Sequence, residues 1–165
     1  MATFNMGKDA GDIEQPELLP EDWYPFVISA EPEQLPNAKK KADPNAEGAG
    51  DNIVIKLSCL SDDPRFASRP MTVWLPLPAP GDSEARTPMG QTKEDSKVER
   101  ITAWAEAFSG SVVEGSEVGL SAGMKAMCYV TQGLDQAKVN LVNSFGFTNP
   151  KPMGGDVDGV DAIEI

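Results

Sequence analysis

The side chains that could do distinctive chemistry are aromatic and basic ones on predicted strands and in one polar loop. Aromatic rings can stack on unpaired nucleobases, and lysine and arginine can contact phosphates. The stacking candidates are Trp74, Tyr129 and Phe66, and the phosphate candidates are Lys56, Arg65, Arg69, Lys125 and Lys138. If the chain binds single-stranded DNA, which is held by both kinds of contact, we expect these residues to form the site.

The sequence carries no recognisable catalytic or metal-binding motif. It has no histidine, and it contains no nucleophile elbow, no phosphate loop and no CxxC. Cys59 and Cys128 lie in apolar, strand-like runs, so we expect reduced thiols in the core. We therefore predict a protein that is not an enzyme and that uses no cofactor and no metal. Catalysis by carboxylates alone stays open as an alternative, although no pair of acids stands out in an apolar setting.

A predicted hairpin between Asp51 and Pro78 positions the first group of candidates. Asn52–Leu60 and Met71–Leu75 are rich in β-branched and apolar residues, which is typical of strands, and the polar loop between them carries the two arginines. Successive side chains of a strand point to opposite faces. This alternation predicts one face with Ile53, Ile55, Leu57, Cys59, Met71, Val73 and Leu75, and an opposite face with Lys56, Ser58 and Trp74.

A second predicted hairpin positions the remaining strand candidates. Met124–Thr131 and Ala137–Phe145 flank a turn at residues 132–135. Alternation assigns Ala126, Cys128, Val130, Val139 and Leu141 to the core, with Lys125, Met127, Tyr129, Lys138 and Asn140 opposite. Both hairpins thus combine a small or β-branched inner face with an outer face that carries lysine and one aromatic ring.

Three further segments complete the layout. Trp23–Ala30 reads as a mostly buried first strand. A capping box at Ser96–Glu99 predicts a helix that ends at Ser109-Gly110, with Trp104 on its apolar stripe and therefore in the core. The triplet Lys39–Lys41 lies in a predicted loop, where it is either a solvated segment or a mobile basic finger that touches phosphates.

The 15 glycines and 14 prolines favour short strands and many loops over a helical bundle. Five strands with one helix before the last hairpin predict a mainly β fold, a five-stranded OB-like antiparallel barrel with one α-helix. An open antiparallel sheet packed on one helix is the alternative. We expect an extended N-terminal arm over residues 1–20, the barrel over 21–148 and a flexible acidic tail over 149–165.

The formal net charge of −12 is concentrated at the two ends of the chain. Residues 1–23 contain one lysine and six acids, and residues 152–165 contain four acids and no base. The body is therefore close to neutral, which leaves room for a local basic face. We find no apolar run long enough to span a membrane and no signal peptide, so we expect a cytoplasmic protein without a membrane partner.

The order of these segments resembles phage-encoded single-stranded DNA-binding-like proteins of replication modules. The resemblance lies in the segments Phe4-Asn5, Leu19–Tyr24, Gly50–Leu60, Arg69–Leu75, Ser96–Phe108 and Lys125–Phe145. It implies non-specific binding of single-stranded DNA in the host cytoplasm, with homo-oligomers possible. The alternative is a non-enzymatic phage structural or host-interaction protein that binds another protein.

The C-terminal end is similar to the acidic tips of single-stranded DNA-binding proteins. That resemblance implies a tail that recruits replication or recombination proteins and competes with DNA for the basic groove. The residues concerned are Asp156, Asp158, Asp161, Ile163, Glu164 and Ile165. An ordinary acidic tail that aids solubility is the alternative.

Overall fold

The computed structural model describes residues 1–14, 17–132, 140–142 and 149–154. Its strands are β1 (Asp22–Ile28), β2 (Glu33–Pro36), β3 (Asp51–Cys59), β4 (Pro70–Pro76), β5 (Lys125–Gln132), β6 (Asn140–Val142) and β7 (Lys151–Pro152). Its helices are α1 (Ala38–Ala42) and α2 (Lys93–Ser109), and a single 3-10 turn spans Ala10–Asp12. The prediction of a mainly β fold is confirmed.

Within these ranges the seven strands form one antiparallel sheet with β1 near its centre. β1 pairs with β3 on one edge and with β5 on the other. β2 also pairs with β3, on the edge that β1 uses but at the other end of that strand. β4 pairs with the opposite edge of β3. β6 and β7 both pair with the outer edge of β5.

The sheet curls into an open half-barrel. Curling brings Cα atoms of β4 and β6 within 8 Å of each other, although the described residues of these two strands share no ladder of backbone hydrogen bonds. The inner face of the curl holds the apolar core, which α2 covers through contacts with β4, β5 and β7. This architecture fits a barrel-like fold.

Strand alternation accounts for the core. The inward side chains are Phe26, Ile28, Ile55, Leu57, Cys59, Met71, Val73, Leu75, Ala126, Cys128 and Val130, and all are buried. The inner face predicted for β3, β4 and β5 is therefore confirmed. The prediction for the last strand was wrong, because the register of β6 pairs Val142 with the buried Val130 and places Leu141 opposite Thr131. Trp104 of α2 is fully buried and stacks on Phe108 with 5.5 Å between ring centroids, which confirms its prediction as a core residue.

The predictions of five strands and one helix were wrong in number. β2 and α1 lie in the segment that we predicted as a loop, and β7 lies in the predicted tail. β2 escaped prediction because its sequence, Glu-Gln-Leu-Pro, has no apolar alternation, and all four side chains are exposed. Its strand conformation depends on backbone pairing with β3, which a sequence pattern does not report.

Helix α2 begins earlier than the capping box predicted. Thr92 is the N-cap, and its Oγ1 accepts a hydrogen bond from the N–H of Asp95 at 3.1 Å. Glu94 and Asp95 lie in the first turn, where their negative charges interact favourably with the positive end of the helix dipole. The predicted end is confirmed, because Gly110 adopts φ 72 as the C-cap.

Both predicted tails include residues that contact the sheet. Leu19 is fully buried, and the carbonyl of Pro20 accepts a hydrogen bond from the Tyr24 hydroxyl at 2.7 Å. At the other end, β7 pairs with Ala126 and Met127 of β5. Residues 1–14 are exposed throughout.

A largely buried ion pair attaches the loop before α2 to the helix. Asp82 is 8% exposed, and its carboxylate accepts hydrogen bonds from Lys97 Nζ at 2.6 Å and from the N–H of Ala79 at 2.7 Å. Burial alone would raise the pKa of Asp82, but these two hydrogen bonds and the positive charges of Lys97 and Lys93 together outweigh it and hold the pKa below its ordinary value. The native state therefore favours the ionised carboxylate.

We predict that Asp82→Asn lowers the free energy of unfolding at pH 7 by about 1–3 kcal/mol, because Lys97 loses its partner. The stabilisation from a carboxylate with a lowered native pKa is present above the unfolded pKa, about 3.9, and is lost as the pH falls through the native value. Urea unfolding should therefore show a difference between wild type and variant that shrinks below about pH 4. The matched control is Glu84→Gln on the same loop, and an equal effect of both changes would contradict the assignment.

Candidate nucleic-acid interface

The strands present a second face, opposite to the core, which we call the outer face. The strand register places on it Trp23, Pro25, Val27, Glu33, Leu35, Asn52, Val54, Lys56, Ser58, Pro70, Thr72, Trp74, Pro76, Lys125, Met127, Tyr129, Thr131 and Lys151. Of these described residues, three are lysines, three are large aromatics and one is acidic. A surface of this composition suits a polyanion that carries stacking groups.

Trp74 is the most exposed aromatic ring of the outer face. The residue is 57% exposed, and it lies opposite Val54 of the neighbouring strand. This confirms the predicted direction of its side chain, away from Val73 and Leu75. Contact between the apolar surface of an exposed indole and water is unfavourable. A base stacked on the ring would remove that surface from water.

Lys56 and Lys125 lie near the middle of the outer face. Val27 pairs with Lys125 on one side and with Ser58 on the other, and Lys56 lies two residues along the strand from Ser58. Both lysines are exposed, and neither forms an ion pair with the described residues. Their ammonium groups are therefore available to an anionic ligand.

A cluster at the end of the outer face away from Trp74 was not predicted from the sequence. Trp23 and Tyr129 are paired across β1 and β5, with ring centroids 5.5 Å apart at 71°, an edge-to-face contact. Lys151 of β7 places its ammonium 3.9 Å from the centroid of the Trp23 ring. Alternation from Phe26 could have placed Trp23 on this face, but Lys151 lies in a proline-rich stretch without any strand pattern.

The predicted stacking role of Phe66 was wrong. Phe66 is 4% exposed and belongs to the core, because the loop folds inward beneath its two arginines. The guanidinium carbons of Arg65 and Arg69 lie 4.9 and 5.5 Å from its ring centroid. The ring is therefore covered by protein and offers no free face to a base.

The two arginines beside Phe66 are largely committed to the protein itself. Arg65 pairs with Asp63 at 2.7 Å and with Glu17 at 2.9 Å, and its hydrogen bonds to Asp63 raise its pKa. The same hydrogen bonds lower the pKa of Asp63. Arg69 donates to the carbonyls of Glu17 and Arg65 at 2.6 and 2.8 Å. Their charge is thus partly offset before any phosphate arrives.

The lysine triplet is an ordered helical turn rather than a loop. Asn37 caps α1 by accepting from the N–H of Lys40, whose ammonium pairs with Asp51 at 2.8 Å. Hydrogen bonds from Lys40 and Gln34 lower the pKa of Asp51. Asp51 alternates with Asn52 and therefore belongs to the side of β3 that faces away from the outer face. Neither predicted alternative for the triplet describes this arrangement.

The cysteines are free and buried, as predicted. Cys59 and Cys128 lie on the inner face of β3 and β5, and burial raises the pKa of each thiol. Among the described residues, no group of three histidine, cysteine or acidic side chains could hold a metal ion. Both thiols are therefore core side chains in their protonated form.

Some predicted site residues fall beyond the described ranges. These are Lys138 and the tail residues Asp156, Asp158, Asp161, Ile163, Glu164 and Ile165. Of the eight predicted DNA-contacting residues, the structure brings Trp74, Lys56, Lys125 and Tyr129 together on one face. It places Phe66, Arg65 and Arg69 in a separate loop cluster.

The part of the chain that the structure describes offers no helix long and apolar enough to cross a lipid bilayer. A comparison with models of known protein families finds no match for this sequence. A comparison with curated proteins finds no match either. Any inference about function therefore depends on the surfaces of this protein itself.

Proposed function

We propose that this protein binds single-stranded DNA on its outer face, without sequence specificity and without enzymatic activity, in a phage-like replication or recombination module. The observation that carries the proposal is the exposed Trp74 on the same face as three lysines. An exposed indole stacks on any base, and unpaired ammonium groups follow the phosphates of any sequence. Both features favour binding that tolerates every sequence.

The charge distribution supports a polyanionic ligand. The protein as a whole carries a net charge of −12, yet Glu33 is the one acid among the described outer-face residues. Lys56, Lys125 and Lys151 outnumber it. Such a local excess of positive charge on an acidic protein attracts phosphates at short range and is weakened by salt.

The connectivity supports an OB-like barrel, which we also propose. Helix α2 follows β4 and precedes β5, the position that the helix takes in OB folds. β3 and β4 then correspond to the second and third strands, the face on which OB folds bind oligonucleotides. Pairing between β4 and β6, whose Cα atoms approach within 8 Å, would complete the barrel.

We further propose that the acidic tail recruits a replication or recombination protein and competes with DNA. β7 pairs with the outer edge of β5, and its Lys151 contacts Trp23 on the outer face. Asp156 follows Lys151 by only five positions in the sequence, and aspartates tethered so near would compete with phosphates for the lysines of this face.

A protein-binding function is the second candidate, and one observation favours it. An apolar groove of about 190 Å³ lies between α2, Leu77 and the segment after the helix. Val98 and Val118 line it and are 48% and 36% exposed. The groove lies on α2 rather than on the outer face, so the two functions would use different surfaces.

For the proposed site, we predict that Lys56→Gln with Lys125→Gln weakens binding of labelled oligo-dT and makes it less sensitive to salt. Each phosphate contact removed should reduce the slope of log K against log salt by about 0.7. Fluorescence anisotropy across several salt concentrations measures both quantities, with duplex DNA as the weaker competitor. The matched control is Lys8→Gln with Lys93→Gln, which removes two exposed lysines outside the outer face.

The absence of oligo-dT binding by the wild type at low salt would contradict the proposed function. Equal losses in the test and control proteins would show that net charge, not the outer face, governs binding.

We predict that Trp74→Ala weakens oligo-dT binding by about 1–3 kcal/mol, the usual contribution of one stacked base. Trp74→Phe should retain most of the affinity because it keeps an aromatic face. Since Trp74 is exposed, neither change should lower the thermal midpoint appreciably, which a melting curve checks. Equal affinity of the wild type and Trp74→Ala would remove this residue from the site.

We predict that truncation after Gly154 strengthens oligo-dT binding at low salt, because four competing acids are removed. The change should shrink as salt rises and screens the tail. Anisotropy titrations of the full chain and the truncated protein measure the difference. Unchanged affinity at every salt concentration would argue against competition by the tail.

A further inference from the structure

We propose that Trp23, Tyr129 and Lys151 form a second nucleobase subsite, and that one single strand runs diagonally across the outer face from this subsite to Trp74. This inference rests on the proposed function and extends it. It assigns a binding role to Trp23 and Lys151, and it specifies a minimum length of the ligand. The strand register, the geometry of the cluster and the position of the lysines carry it.

The register orders the basic and aromatic side chains along one diagonal. We call outer-face residues that are paired across neighbouring strands a row. Trp74 and Val54 share one row, and Lys56 lies in the next row along β3. The next row links Ser58, through Val27, to Lys125.

Two more rows complete the path on the other half of the sheet, where the backbone of Lys151 lies one strand beyond β5 and its ammonium reaches back over the Trp23 ring. Lys151 lies beside Met127, and the final row pairs Trp23 with Tyr129. The sequence of side chains is therefore an indole, three lysines and an aromatic pair. Each lysine moves the path by about one row, which corresponds to roughly 7 Å along a strand.

The dimensions of this path set a length for the ligand. Trp74 and Tyr129 are separated by four rows along the strands, about 27 Å, and by three strand spacings across them, about 14 Å. The diagonal is therefore about 30 Å. A stacked single strand advances about 3.4 Å per phosphate, and an unstacked one up to roughly twice that. Both subsites can thus be filled by one strand of about 5–9 nucleotides, which falls within the range of single OB domains.

The cluster has the chemistry of a stacking site with a phosphate contact beside it. Trp23 and Tyr129 are both partly exposed, and their edge-to-face packing holds each ring in a defined orientation. Lys151 is exposed, and it covers one face of the indole at 3.9 Å. A base that takes this face replaces one favourable contact of the ring with another and releases the ammonium toward the adjoining phosphate.

The competing explanation is that the cluster only secures β7 to the sheet. In that case, removing the cluster would lower the stability of the protein but would not change how the affinity depends on ligand length. Ligand length therefore separates the two explanations. Trp104 is fully buried, so fluorescence changes in a protein without Trp74 report on Trp23.

The test is a set of titrations of the full-length protein with oligo-dT of 3 and of 12 nucleotides. The proteins are the wild type, Trp74→Ala, Trp23→Ala and the double variant. With 12 nucleotides, each single change should weaken binding on the order of tenfold and the double change on the order of a hundredfold. With 3 nucleotides, which cannot reach both subsites, the wild type should bind at least tenfold more weakly than with 12.

Two results would overturn the inference while leaving the proposed function standing. One is binding of 12 nucleotides that Trp74→Ala weakens and Trp23→Ala does not. The other is equal affinity for 3 and 12 nucleotides. Absence of binding to either oligonucleotide would instead overturn the proposed function, and the inference with it.

A second measurement covers the case in which Trp23→Ala fails to fold. In Trp74→Phe, saturation with oligo-dT of 12 nucleotides should still quench tryptophan fluorescence, because a base then stacks on Trp23. Lys151→Gln should weaken the same binding by a few-fold and lower its salt dependence. Binding without quenching in Trp74→Phe would overturn the second subsite.

Discussion

The pairing of β1 with β3 on one edge and β5 on the other is the interaction on which the rest of the structure depends. Phe26–Ile28 set the register of the first hairpin through Leu57–Cys59, and the same strand sets β5 over six residue pairs. A one-residue slip at either edge would turn all the side chains of the shifted strand to the other face. The buried inner face therefore determines which lysines and aromatic rings share the outer face.

The same constraint explains why part of the site could be predicted from the sequence. Alternation within each hairpin separated Trp74 and Lys56 from the core, and it did the same for Lys125 and Tyr129. Alternation could not predict how the two hairpins are aligned with each other. That alignment is set by the pairing of both hairpins with β1, which lies in an earlier part of the chain. Lys151 escaped for a related reason, since only pairing with β5 makes its proline-rich segment a strand.

The failures on Phe66 and the lysine triplet have a different cause. A basic loop with an aromatic residue has the same composition whether its charges face solvent or its own acids. Here Lys40 pairs with Asp51, 11 positions away, and Arg65 pairs with Glu17, 48 positions away. Such distant partners decide which cations stay free, and a local pattern does not contain them. The free cations among the described candidates are on the strands, where the opposite face is occupied by the core.

Photocrosslinking tests the outer face most directly. An oligo-dT of 12 nucleotides with 5-iodouracil at single positions would be irradiated with the full-length protein, and the crosslinked peptides would be identified by mass spectrometry. We predict crosslinks to Trp74 from one end of the oligonucleotide and to Trp23 or Tyr129 from the other. Crosslinks confined to the Phe66 loop or to the groove beside α2 would contradict binding on the outer face.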